Sequence, residues 1–144
     1  ITDLVDPCKK MSKTEENPKG VICLLDSPEV ARKKIMGATT DSEMRVKYDP
    51  ENKPGISNLI NIYATLNEKS IEEVENEFKS ANYGEFKKSV EDTVCEFLEK
   101  IQKRYKELIE SDELDNILLD GANKAREVAK AKFMDMKYKI GLYK

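Results

Sequence analysis

The sequence predicts a mostly α-helical domain, and three observations carry that expectation. Apolar residues make up 39% and charged residues 37% of the 144 positions, a balance that suits amphipathic helices with outer faces covered by Lys and Glu. From Ile56 onward the apolar positions recur three and four apart rather than two apart, the period of one helical face. Helix start signals stand just ahead of apolar runs, notably Ser27-Pro28 and Ser70 followed by Glu73. The expected architecture is a helical bundle preceded by a lysine-rich loop and one or two short extended segments.

Residues 1–20 hold four lysines, Pro7, Pro18 and Gly20 without apolar periodicity, which reads as an irregular, mobile loop. Val21 to Leu25 is a short apolar run that suits a buried strand or an extended lead-in, and periodicity does not decide between them. Ser27 as N-cap, Pro28 at the first helical position, Glu29 near the positive end and Arg32, Lys33 and Lys34 toward the other predict a helix to about Ala38. Its buried face is Ala31, Ile35 and Ala38. Thr39 to Ser42 is a turn cluster. Met44, Val46 and Tyr48 then alternate with polar residues as a short extended segment before the Asp49 to Gly55 loop.

Ile56, Leu59, Ile60, Tyr63 and Leu66 fall at helical spacing, and the Ser70/Glu73 capping box opens another helix carrying Ile71, Val74 and Phe78 on one face. Tyr83-Gly84 reads as a break. Phe86, Val90, Val94, Phe97, Leu98, Ile101, Tyr105, Leu108 and Ile109 define one long amphipathic helix. A further short helix is expected from Ser111 or Asp112 with Leu114, Ile117 and Leu118. Asp120-Gly121 then caps a last helix whose inner face is Ala122, Ala125, Ala129, Phe133, Met136 and Ile140, with Gly141 as its C-terminal cap. The aromatics Tyr63, Phe78, Phe86, Phe97, Tyr105 and Phe133 lie on apolar faces, where core packing accounts for them. Glu72, Glu73, Glu75 and Glu77 surround a helix exterior, so solvation explains them better than a metal or acid/base site.

Composition also excludes chemistry. There is no histidine, which removes Ser-His and Cys-His nucleophiles and the commonest metal ligand. Cys8, Cys23 and Cys95 are widely spaced and never paired as CxxC, so free thiols are expected rather than a disulfide framework or a zinc site. No apolar run approaches the roughly 20 residues that span a bilayer, so no membrane partner and a cytoplasmic location are expected. An N-terminal Ile1 in place of Met fits a piece of a longer chain. Net charge is −3 but uneven: residues 54–99 carry 4 basic and 10 acidic groups, and residues 100–144 carry 11 and 8. Polyanion contact is therefore expected outside the middle segment.

Lys10-Met11-Ser12-Lys13-Thr14 is the segment richest in chemistry. Two ammonium groups three residues apart, interleaved with hydroxyls on a loop, supply point charges and donors that wrap a triphosphate. On composition alone, a solvated basic loop accounts for the pattern better. The string itself resembles the KMSKS signature of class I aminoacyl-tRNA synthetases, with Thr14 in place of the final Ser and the hydroxyl retained. Asn17-Pro18, Ile22 to Asp26, Thr40 to Glu43, Tyr48-Asp49 and Lys53 to Tyr63 follow in the order of the bacterial-type tryptophanyl enzymes. The resemblance runs on through Tyr83-Gly84, Ile101 to Tyr105 and Gly121-Ala122 to Gly141-Leu142 and so covers essentially the whole chain.

The resemblance implies a C-terminal part of a tryptophan-tRNA ligase. Residues 1–26 are then the ATP loop and the end of a Rossmann catalytic domain, and residues 27–144 a helical tRNA- and anticodon-binding domain. It implies that Lys10 and Lys13 act in catalysis by contacting the ATP phosphates, Lys13 on the departing pyrophosphate, with Met11, Ser12 and Thr14 shaping the loop and Ile1 near adenine. ATP, with Mg2+ in the full-length enzyme, tryptophan and the tryptophan tRNA are the implied substrates, and the full-length enzyme is implied to be a homodimer. The family's HIGH-like motif and tryptophan pocket are absent, so the chain alone is expected to be inactive. Charge selects Lys124, Arg126 and Lys130 as candidate tRNA phosphate contacts, since residues 122–144 carry seven basic groups against Glu127 and Asp135; a solvated helix face is the competing explanation. The alternative for the chain as a whole is an autonomous helical module that binds RNA or protein.

Overall fold

A computed structural model describes residues 1–12, 14 and 17–142. Among these residues, after a one-turn 3₁₀ helix at Pro18–Gly20, come five α-helices: α1 (Pro28–Met36), α2 (Pro54–Leu66), α3 (Ile71–Glu77), α4 (Tyr83–Ile109) and α5 (Glu113–Lys139). The protein is thus mostly helical, as its periodicity requires. Neither Val21–Leu25 nor residues 44–48 forms a strand. The described residues hold only an isolated antiparallel bridge between Thr2 and Lys10, because no second extended segment runs alongside either stretch to complete a ladder. The chain forms two compact units, Ile1–Gln102 and Lys103–Lys144.

In the first unit α1 begins as its residues dictate, with the Ser27 side chain accepting from the Val30 N–H and Pro28 in the first turn. It stops at Met36, with Gly37 as cap. Ala31, Ile35 and Ala38 are buried. Helix α2 is buried almost all round, from Gly55 through Ile60 and again at Ile62 to Ala64, the pattern of a central core helix. Gly55 is required there, since a Cβ would lie 2.0 Å from the Thr39 carbonyl oxygen. Both halves of the Ser70/Glu73 capping box are made at the start of α3. Tyr63, Phe78 and Phe86 then meet edge to face, with ring centroids 4.8 to 6.0 Å apart.

Tyr83-Gly84 does not break the chain: it opens α4. Asn82 and Glu85 cap the helix reciprocally, the Asn82 Oδ1 accepting from the Glu85 N–H at 3.0 Å and the Glu85 carboxylate from the Asn82 N–H at 2.9 Å. The apolar stripe of α4 is buried through Phe86, Val90, Val94 and Leu98, but Phe97, Tyr105 and Ile109 are exposed. In the second unit no residue of α5 is buried, so Phe133, Met136 and Ile140 do not pack into a core either. A helix over which no other element is laid keeps its apolar stripe in solvent, as Ile117, Leu118 and Phe133 show. The two helices expected after Ser111 are one continuous α5 with Gly121 inside it. A lone glycine costs a helix only about 1 kcal/mol, and Lys124 and Asp120 pair across it at 2.7 Å. Gly141 does cap α5: its φ is +73°, its N–H donates to Tyr138 and that of Leu142 to Lys137, which is the Schellman arrangement.

Polar side chains fasten these elements. Lys53, just ahead of α2, points its ammonium to Glu43 (2.6 Å), Asp41 (3.6 Å) and the Arg45 carbonyl (3.3 Å). The Tyr83 hydroxyl reaches the Asp41 carboxylate at 2.8 Å. Burial first, and the Asp41 hydrogen bond second, push the Tyr83 phenol up to about 12. The buried Lys87 of α4 donates to the Ala38 carbonyl at 2.7 Å and to Met36 at 3.3 Å, capping the C-terminal end of α1; desolvation lowers its pKa. The acidic cluster of α3 also has structural partners: Glu75 accepts from the Tyr48 N–H, and Glu77 from the Tyr63 hydroxyl and Lys69.

Candidate nucleotide-binding site

The lysine-rich loop rises from a neck made of residues 2–4, 9–10 and 20. Leu4, among the most buried side chains, plugs the core, while its N–H donates to the Gly20 carbonyl (2.9 Å) and its carbonyl accepts from the Thr39 N–H (2.8 Å). The backbone of Thr2 is gripped by Asn58 of α2: the Thr2 N–H donates to Asn58 Oδ1 and the Asn58 Nδ2 to the Thr2 carbonyl, both at 2.8 Å. Thr2 in turn bridges to Lys10. Asp3 closes the turn. Its N–H donates to the Lys9 carbonyl at 2.9 Å, and its Oδ1 accepts from the N–H groups of Val5 (2.7 Å) and Asp6 (2.9 Å).

Lys10 therefore has a defined backbone position and an exposed side chain. Met11 is partly buried against the core. Ser12 Oγ and Thr14 Oγ1 lie 3.0 Å apart, and the Thr14 N–H reaches Ser12 Oγ at 3.4 Å, a local hydroxyl turn. Lys13 lies outside the described residues. Ile1 and Met11 line one apolar cleft of about 140 Å³ with Ile22, Leu24, Ile62 and Phe97 among its walls, so the structure brings the residue expected near adenine to the loop's own methionine. The neighbouring lysines divide in two. Lys34 is committed to Asp26 (2.6 Å) and the Val21 carbonyl (2.7 Å), whereas Lys19 and Lys33 are exposed beside a cleft that also touches Val5 and Gly37.

Lys124, Arg126 and Lys130 are all exposed on α5, remote in sequence from the loop. Lys124 pairs with Asp120 at 2.7 Å and Arg126 donates to the Asn123 side chain at 3.1 Å. Such exposed contacts are weak enough for a phosphate to displace. Cys8 and Cys23 are exposed free thiols and Cys95 is buried. Among the described residues no group of three Cys, Asp or Glu side chains is placed to hold a metal ion.

Sequence reading missed Asp3 and Asn58. An Asn followed by a leucine in an apolar helix gives no signal of its own, because it acts on the Thr2 backbone 56 positions away, and the local turn that Asp3 makes with Val5 and Asp6 is hidden in a charged stretch without periodicity.

Comparison with known proteins gives this geometry a family. The tryptophan–tRNA ligase of Malacoplasma penetrans is 50% identical over 142 residues, covering 99% of this chain and 42% of that protein. The Bacillus subtilis tryptophan–tRNA ligase is 49% identical over 142 residues, 99% and 43%. The crystal structure of tryptophanyl-tRNA synthetase from Mycoplasma pneumoniae superposes with a TM-score of 0.81 at 30% identity, over 98% of this chain and 45% of that one. The chain thus spans less than half the length of these relatives. The family model of class I tRNA synthetases (W and Y) matches residues 1–99, and with the loop carried on that framework, this chain belongs to the class I tRNA synthetases (W and Y).

Proposed function

We propose that this chain is the C-terminal part of a tryptophan–tRNA ligase, with residues 1–26 supplying the ATP loop and the end of the catalytic domain and residues 27–144 binding tRNA. The observation that carries this reading is the Lys10 to Thr14 string on an anchored neck, in a chain half identical to a tryptophan–tRNA ligase. Lys10 and Lys13 hold the triphosphate, and Lys13 stabilises the charge on the pyrophosphate as it leaves. Ser12 and Thr14 offer hydroxyl donors, Met11 packs the loop down, and Ile1 faces adenine. Mg2+ enters with ATP on its phosphate oxygens. Tryptophan binds, and two copies pair, through parts of the enzyme outside this chain, which works in the cytoplasm.

For tRNA, Lys124, Arg126 and Lys130 neutralise phosphates along α5 without reading bases. Replacing all three with Ala lowers affinity and cuts the slope of log K against log salt by roughly two to three. Discrimination among tRNAs stays as it was.

The central test uses the intact ligase that contains this chain. Lys13→Ala lowers tryptophan-dependent pyrophosphate exchange about 10²–10³-fold, the usual cost of one charge-stabilising donor. An unchanged rate takes Lys13 out of the mechanism. Residues 1–144 alone give no exchange, because the reaction needs both ATP signatures on one scaffold; robust exchange by them overturns the proposed division of labour.

A further inference from the structure

We propose that Asp3, seated against Gly20, is a positioning residue that holds the lysine loop in register for ATP through the backbone of Lys10. The role in ATP use rests on the function proposed above.

Asp3 is 3% exposed although it carries a carboxylate at the foot of an exposed loop. One oxygen is fully employed, since Oδ1 accepts the N–H groups of Val5 and Asp6 and so fixes the first turn of the loop. The main chain of the same residue takes the returning strand, its N–H donating to the Lys9 carbonyl one position before Lys10. The other oxygen, Oδ2, is buried without a hydrogen-bond partner among the described residues. It lies against the far end of the loop: a Cβ on Gly20 would stand 1.9 Å from Oδ2, 2.2 Å from Oδ1 and 2.3 Å from Cγ. The Leu4 N–H bond to the Gly20 carbonyl lies beside this contact.

Both ends of the loop therefore close on one residue. Its side chain ties the turn at residues 3–6, its main-chain N–H ties Lys9, and Gly20 is fitted to the face of its carboxylate. An apolar residue here would spare the buried oxygen its lost hydration but would leave the Val5 and Asp6 N–H groups unpaired. The arrangement favours a rigid neck, and a rigid neck lowers the ordering that the loop must undergo when its lysines meet the triphosphate.

The two residues should behave as one unit. Gly20→Ala drives a methyl group into the carboxylate and displaces it, so it disturbs the loop as Asp3→Ala does. Once Asp3 is Ala, the same methyl group meets no carboxylate.

The test is made in the intact ligase that contains this chain, by amide hydrogen exchange and by steady-state pyrophosphate exchange. In Asp3→Ala, the amides of residue 3, Val5 and Asp6 exchange about tenfold faster or more while those of α2 and α4 keep their protection. KM for ATP rises about tenfold and KM for tryptophan changes less than about twofold, since only the ATP loop is loosened. Gly20→Ala gives the same pattern, and adding it to Asp3→Ala adds little, the non-additivity of groups in contact. Should Asp3→Ala fail to fold, Asp3→Asn separates the two ends: it keeps the Oδ1 acceptor and so the Val5 and Asp6 protection, but sets an NH2 against Gly20 and speeds exchange at Leu4. Additive effects of Asp3→Ala and Gly20→Ala, or unchanged exchange and KM for ATP in Asp3→Ala, overturn the proposal. If the unsubstituted ligase shows no tryptophan-dependent exchange, the proposed function fails instead, and the amide exchange still decides whether Asp3 and Gly20 hold the loop.

Discussion

Asn58→Ala tests how the loop neck is joined to the core. Asn58 is 4% exposed and makes two hydrogen bonds of 2.8 Å, one to the Thr2 N–H and one to the Thr2 carbonyl. Each such bond contributes about 1 kcal/mol net, and a buried group left unpaired costs about 1–3 kcal/mol. Thr2 is only partly buried, so water recovers some of that loss. The expected destabilisation is about 2–3 kcal/mol, less than the sum of two fully buried orphans and more than a surface substitution, typically within about 0.5 kcal/mol. Asn58→Asp should cost at least as much, because the carboxylate keeps the acceptor for the Thr2 N–H but sets oxygen against the Thr2 carbonyl oxygen. Urea denaturation of the 144-residue chain measures both, with the midpoint shifting at constant slope. Hydrogen exchange localises the effect to the Thr2 to Lys10 bridge. A loss below about 0.5 kcal/mol for Asn58→Ala would show that the Thr2 backbone is equally well served by water and that Asn58 does not hold the neck.

Two further outcomes are expected from particular side chains. The Tyr83 phenol is raised to about 12, so in the unfolded chain it ionises first, near its ordinary value of 10.0; the stability it contributes is complete below pH 10 and declines as pH rises toward about 12. Tyr83→Phe should flatten the alkaline limb of the stability curve and remove a late-titrating phenol from the tyrosinate absorbance of the folded protein; an unchanged limb would mean that the buried Tyr83 phenol does not govern it. Gly121→Ala should stabilise α5 by about 0.5–1 kcal/mol, because the position is mid-helix and a Cβ there meets nothing within 4 Å. Slower amide exchange across α5 checks this, and faster exchange would show that Gly121 serves a bend or a contact.

Local signals in the sequence carried over to the structure where the interacting groups are close along the chain. Ser27-Pro28, Ser70 with Glu73 and Gly141 each act on backbone groups within a few residues, and each cap formed where the residues placed it. The Asn82/Glu85 cap was equally local, but Tyr83-Gly84 resembles a turn, and that pattern masked it. At Asp120-Gly121 the weak helix cost of one glycine was outweighed by an unbroken α5. The Lys10 to Thr14 string was legible for a different reason: its chemistry lies in residue types and spacing, whatever holds it.

Tertiary structure alone decided what holds it. Leu4 belongs to the core although it stands in a charged, aperiodic stretch, since one apolar residue has no period to betray it. Asn58 faces Thr2 across 56 positions, and Asp3 meets Gly20 across the loop. The same applies to how far the apolar stripe of α4 is covered, from Phe86 to Leu98 but not at Tyr105 or Ile109. Amphipathic spacing states which face of a helix is apolar, whereas burial depends on whether another element arrives to cover it, and hydrogen-bond partners distant in sequence exist only once the fold has brought them together.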